Sequence, residues 1–411
     1  MNIQKIKNKE KFMININKKI FAKIIFIALI LIFYLNSTSS IAIENQNEIN
    51  SESKLQEDIN SELSEQEENF GINSFLVNSK KYTGDFFDDI DIKDILNSAI
   101  KGEIDNKSIA AKIFKKLGKE VQLGAKSLAG ILAIIIIHSI LKAISDGLEN
   151  NSISRLIYFA QYIAIVVIIM NNFSSTINLV RETTENLVGF INTLIPLLIS
   201  LMVYTGSVAT TTVLEPVILF MINFIGNLIQ GVLIPVILII VAISIISKIS
   251  DQIQISKISK FLKSSAVWFL GIILTIFVGI VSLEGSLTNS VDGITAKTAK
   301  AIVSSTVPIV GKILGDAVES VLGCGIILKN AVGFVGIIII LGICIMPILK
   351  VAVLTVSYKL MASITQVIAD EKIVSLLDEI GDIFKILLAI LVSISFMVII
   401  GVAVLIKMTN I

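Results

Sequence analysis

The chain reads as an all-α protein: a polytopic helical membrane protein with about nine spans after signal cleavage, plus a broken amphipathic or re-entrant region. Three observations carry this reading. Apolar residues make up 54% of the 411 positions and charged residues 16%, whereas a soluble domain usually carries about 25% charged residues. The charges are unevenly placed, so that long stretches have none. The first 42 residues follow the basic, apolar, small order of a secretory signal.

That signal comes first. Lys5, Lys7, Lys9, Lys11, Lys18 and Lys19 form the basic region, and Ile20 to Leu35 the apolar one, interrupted only by Lys23. Ser40-Ile41-Ala42 supplies small residues at the two positions a signal peptidase reads, which places cleavage after Ala42; an uncleaved first span is the competing reading. Residues 43–84 read as a disordered acidic exterior linker. Glu44 to Glu68 holds nine carboxylates and one lysine, Lys54. Such a stretch buries too little apolar surface to offset its ordering entropy. Residues 85–126 read as amphipathic exterior helices. Phe86, Ile90, Ile92, Ile95, Leu96 and Ile100, then Ile109, Ile113, Phe114 and Leu117, recur at roughly helical spacing. Lysines among the later ones suit a membrane surface.

Residues 127–411 form the multi-span domain. A span needs about 20 apolar residues. The candidates are 127–144, 156–171, 187–206, 213–230, 231–247, 267–286, 331–349, 350–368 and 383–407. The pair 213–230 and 231–247 is a single apolar run too long for one crossing. Gly226, Gly231 and Pro235 offer breakpoints, so two crossings or a re-entrant hairpin are both open. With residue 43 outside, nine crossings put the basic 248–266 loop inside and the acidic 369–382 loop outside, in keeping with the positive-inside rule. Residues 287–330 stand apart. They are rich in Gly, Ser, Thr, Ala and Val, with sparse charges and a break at Pro308 and Gly311. Too apolar for an open loop and too polar for a lipid-facing span, they predict broken amphipathic helices on the outer face.

Ionisable residues within spans are costly and are functional candidates. His138, Glu215, Glu284 and Lys350 are the intramembrane polar candidates. Glu215 and Lys350, with Lys385, sit near predicted span ends and could instead snorkel to water. His138 lies mid-span, suited to a helix–helix hydrogen bond or to proton handling. Cys324 and Cys344 lie in apolar stretches and read as packing residues. No phosphate-binding Gly-x-x-x-x-Gly-Lys-Ser/Thr loop, His-Glu-x-x-His, Cys-x-x-Cys or Gly-x-Ser-x-Gly occurs. The sequence thus points to no enzyme, no cofactor and no catalytic or metal site. A net charge of +1 with scattered basic residues points to no nucleic acid.

Ser282-Leu-Glu-Gly-Ser-Leu-Thr-Asn-Ser-Val-Asp-Gly-Ile-Thr-Ala-Lys-Thr-Ala-Lys300 resembles the stage III sporulation protein AE family. So do Pro308-Ile-Val-Gly311, Asp316-Ala-Val-Glu-Ser320 and Leu328-Lys-Asn330-Ala-Val-Gly333. The resemblance covers roughly residue 120 to the end. It implies a multi-pass protein of the mother-cell membrane that faces the forespore. It also implies partners: the other proteins of its operon, including a separate ATPase, and a forespore-side membrane protein, together forming a channel or secretion-like complex. The family has no established catalytic or ligand-binding residues, so none is carried over. A secondary transporter or permease with its path near Glu284 and Lys350 is the alternative, and a structural scaffold a third reading.

Overall fold

The computed structural model describes residues 66–83, 92–101, most of 128–144, 151–249, 255–306 and 310–407, with isolated positions 118 and 122. Side chains at 151–155, 208–210, 213–215 and 282–321 lie outside the described set, as does His138 altogether. Among the described residues there is no strand. The helices are α1 (Ile72–Thr83), α2 (Ile92–Lys101), the short apolar α3 (Leu128–Leu141), α4 (Asn151–Tyr204), α5 (Val208–Leu228), α6 (Ile234–Ile249), α7 (Ser256–Thr306), α8 (Val310–Thr365) and α9 (Glu371–Lys407).

Five helical stretches are long and apolar enough to cross a membrane: Leu156–Tyr204, Pro216–Ile249, Ser256–Val281, Leu322–Thr365 and Glu371–Lys407. The expectation of nine spans is corrected accordingly among the described residues. The expected pairs 156–171 with 187–206, and 331–349 with 350–368, each form one unbroken helix, α4 and α8. Hydropathy mistakes the polar stretch near 171–185 and the Pro347–Lys350 neighbourhood for loops. A helix tolerates such residues when they fall on one face and the rest of each turn stays apolar. The expected pair 213–230 and 231–247 joins through a π-helical turn, Ile229–Leu233. The anticipated breakpoints Gly231 and Pro235 therefore widen the helix locally instead of reversing it. Proline lacks the N–H that would serve the carbonyl four residues back, and a π-turn absorbs that defect. The 127–144 expectation falls on the apolar helix α3, and part of that stretch and the residues flanking it lie outside the described set. Residues 287–306 are helical within α7 and residues 310–330 within α8, while the expected break at Pro308 lies outside the described residues and Gly311 is helical.

The chain turns back sharply after α4. Thr205 and Gly206 form the turn, and Gly206 takes φ +88°. Gly206 N–H donates to Val203 O at 3.0 Å and Ser207 N–H to Met202 O at 2.9 Å. These are the paired bonds of a Schellman ending, which a residue without Cβ accommodates.

One end of the bundle is tied by charge. Glu379 of α9 accepts from Lys248 of α6 at 2.8 Å and from Lys263 of α7 at 3.5 Å. Lys248 also donates to Ser375 Oγ at 2.8 Å. Lys359 of α8 meets Asp378 at 2.6 Å and Asp382 at 2.8 Å. Tyr158 and Tyr162 of α4 donate to the carbonyls of Lys248 and Ile245. The 248–266 and 369–382 loops therefore share one end, contrary to the opposite sides that a nine-span count assigns them. The acids of one loop neutralise the lysines of the other, and a loop-by-loop charge count cannot see this.

At the opposite end, packing is close because α8 carries glycines where neighbours press. A Cβ on Gly333 would stand 2.4 Å from Ile406 Cγ1, one on Gly336 2.6 Å from Leu194 Cδ2, and one on Gly325 2.8 Å from Tyr204. Small residues at such crossings let backbones approach. Gly333→Leu is expected to destabilise the α8–α9 contact by about 1–3 kcal/mol, the usual cost of overpacking. A lowered thermal midpoint of the detergent-solubilised protein, with Gly323→Leu as a control in open space, checks this.

The packed part begins earlier in sequence than residue 85. Residues 66–69 are already helical. α1 buries Ile72, Phe75, Leu76, Ser79 and Thr83. Phe75 and Tyr82 pack against Phe190 of α4, Phe70 meets Tyr204, and Gln66 donates to Tyr204 OH at 3.1 Å. The acidic composition upstream concealed an apolar face of α1 at positions 72, 75, 76 and 79.

Candidate functional site

Several polar side chains of α4 bond back to the helix itself. Thr176, Thr183 and Thr184 are buried, and their hydroxyls donate to the carbonyls of Asn172, Leu179 and Val180 at 2.7–2.8 Å. This back-bonding lets a hydroxyl sit in an apolar core at little cost. Asn172 turns inward as well, donating to Tyr358 OH of α8 at 2.8 Å. Higher up, Asn192 and Asn223 exchange amide hydrogen bonds at 3.2 and 2.9 Å between α4 and α5. Polar pairs of this kind join helices in a membrane.

A second polar set on α4 behaves differently. Asn171, Ser174, Ser175, Asn178 and Glu182 are all exposed and recur at helical spacing on one face. With Lys350 of α8 they line an open cleft of about 510 Å³. Among the described residues none of these six side chains has a hydrogen-bond or ion-pair partner. The stripe lies near the middle of α4's candidate span. Directly behind it Asn172 bonds Tyr358, and Phe173 and Tyr358 both pack on Phe384, with ring centroids at 6.4 and 5.1 Å. The cleft thus offers amide and hydroxyl groups, one carboxylate and one ammonium within the stretch of α4 that is a candidate span, and can hydrate or coordinate a polar species there.

The sequence-derived candidates fare unequally. Lys350 joins the α4 stripe in the cleft. Glu215 lies in α5 and Glu284 in α7, with side chains outside the described set, and His138 lies outside it entirely. Reading 172–186 as a loop hid the stripe. The available signal was the 3.6-residue recurrence of its polar positions, which a loop has no reason to show.

Lys329 is a further polar residue that the sequence alone does not single out. It is fully buried, and its ammonium donates to Ile406 O at 3.1 Å, one of the last carbonyls of α9. A cation suits that position, because unpaired carbonyls give a helix end a partial negative charge. Lys329 and Gly333 belong to the Leu328–Gly333 motif quoted above. Both touch Ile406, so part of that motif is explained by how α8 meets the end of α9.

No solved structure matches the chain. The chain is 31% identical over 298 residues to the stage III sporulation protein AE of Bacillus subtilis (strain 168), covering 72% of this chain and 75% of that protein. The family model described as stage III sporulation protein AE matches residues 90–409, from α2 through the last span. On the motifs of 282–333, the bundle of long apolar helices and these two matches, the chain belongs to the stage III sporulation protein AE family.

Proposed function

We propose that this sporulation membrane protein is a subunit of a channel or secretion-like complex joining mother cell and forespore, needed for forespore development. The family match over 90–409 is the observation that carries the reading. In it, the chain sits as a multi-pass protein in the mother-cell membrane facing the forespore. It works with the other proteins of its operon, one of them the ATPase, and with a forespore-side membrane partner. It supplies no catalysis itself. The end of the bundle bearing α1 and the α7–α8 connection faces the intermembrane space, and the lysine-rich end bearing Lys248, Lys257, Lys260 and Lys263 faces the cytoplasm. Residues 287–330 then contact the forespore-side partners.

Affinity capture of the tagged chain from sporulating cells tests this. The expected result is co-purification of the ATPase and the forespore-side protein, with arrested forespore development in a deletion strain. A chain that comes down alone, from a strain that sporulates normally without it, would overturn the proposal. The open cleft at Lys350 also suits a secondary permease. Solute uptake by proteoliposomes holding the purified chain alone would favour that second reading.

A further inference from the structure

The surface of the bundle is uneven. On α5 to α7 many of the exposed residues are large and apolar, among them Phe220, Phe224, Ile239, Trp268 and Ile276, with single polar residues such as Asn227 and Thr275 between them. Those helices present a face suited to lipid. On α4 the outward face changes character along its length. It is apolar at Leu156, Phe159, Ile163 and Val167, then polar from Asn171 to Glu182.

Hydrocarbon does not solvate amides, hydroxyls or charges, so exposed polar side chains at membrane depth need water or protein against them. The stripe cannot meet this need internally, because its side chains have no partners among the described residues. Nor does it resemble helix-to-helix glue already in use, as in the Asn192–Asn223 pair. Lys350 adds an ammonium at the same level, with Pro347 a turn away in α8. Lys350 and Glu182 line one cleft without forming an ion pair, which leaves both heads available to solvent.

We propose that Asn171, Ser174, Ser175, Asn178 and Glu182, with Lys350, line a water-filled path at mid-membrane depth, closed on its open side by protein and suited to small hydrated polar solutes. Neutral hydrogen-bonding groups replace part of a solute's hydration shell without trapping it, and the two opposite charges prevent a single-sign barrier. The inference deepens the channel-subunit reading and rests on it for what the path connects. The hydration of the stripe stands on the cleft itself.

Cysteine accessibility tests it. Ser174→Cys, Ser175→Cys and Asn178→Cys are placed singly in a chain carrying Cys324→Ala and Cys344→Ala, since both native cysteines are buried. Ile239→Cys and Ile276→Cys serve as lipid-facing controls. The probe is a charged, membrane-impermeant methanethiosulfonate, applied to membranes from sporulating cells and to proteoliposomes of the purified chain. A thiol reacts as its thiolate, which water stabilises and hydrocarbon does not. The expected result is labelling of the stripe positions roughly tenfold or more faster than the controls, in the assembled membranes at least. Labelling at the control rate at all three positions, in cells that sporulate normally, overturns the proposal. Spontaneous disulfide dimers at Ser174→Cys without labelling also overturn it, in favour of a dry contact between two copies. Fast labelling with no partner captured would sink the channel-subunit reading and leave the hydrated stripe standing.

Discussion

Glu379→Ala is expected to loosen a whole end of the bundle and to cost about 3 kcal/mol of stability, the low end of what breaking a buried ion pair removes. Glu379 is the shared acceptor for Lys248 and Lys263, drawn from α6 and α7, while itself sitting on α9. The three side chains keep only 13–16% of their exposure. Removing the carboxylate leaves two ammonium groups near each other with little water to screen them. Lys248 would keep Ser375 as a partner at 2.8 Å; among the described residues Lys263 has no other acceptor. Glu379→Gln keeps a hydrogen-bond acceptor and loses the charge, so it should cost about half as much. Replacing Lys263 by methionine in the Glu379→Ala chain should recover part of the loss, because one of the two stranded charges is gone. Thermal midpoints in detergent, read as a double-mutant cycle between positions 263 and 379, measure the coupling. A coupling near zero would mean that the pair is solvated and does not hold α7 to α9. By contrast, the Lys359 pairs with Asp378 and Asp382 are more exposed, at 34–53%, and Asp378→Asn should change stability by no more than about 1 kcal/mol.

The second large effect is expected at the other end. Lys329→Glu should cost about 3–5 kcal/mol, because it buries an unpaired carboxylate against the carbonyl end of α9. Lys329→Met should stay within about 1.5 kcal/mol of the unaltered chain. Methionine keeps most of the apolar stem and removes the cost of burying a charge, while Ile406 O loses the Lys329 donor. The opposite ordering, with methionine worse than glutamate, would show that the ammonium's charge is not what matters at this site. Unfolding of both variants followed alongside Gly333→Leu would show whether the α8–α9 contact fails as one unit, since Lys329 and Gly333 share Ile406 as neighbour.

Both effects sit on contacts between helices far apart in the chain, and that marks where sequence reasoning stopped. Composition and the long apolar runs suffice for an all-helical membrane protein. The motifs between Ser282 and Gly333 suffice to point at the family. Local turn chemistry was partly legible too: Gly231 with Pro235 lies at the π-turn. These are properties of short windows, where hydrophobicity, proline and glycine act on their own neighbours. Span number was not such a property. A polar stripe such as Asn171–Glu182 lowers mean hydropathy as a loop does, and only its placement on one helical face allows α4 to continue. The pairing of Lys248 and Lys263 with Glu379, the capping of α9 by Lys329 and the meeting of Lys350 with the α4 stripe arise only once the helices are packed. Coulombic and hydrogen-bond partners are chosen by distance in space, and the chain order of an α-helical bundle does not specify which faces of its helices will meet.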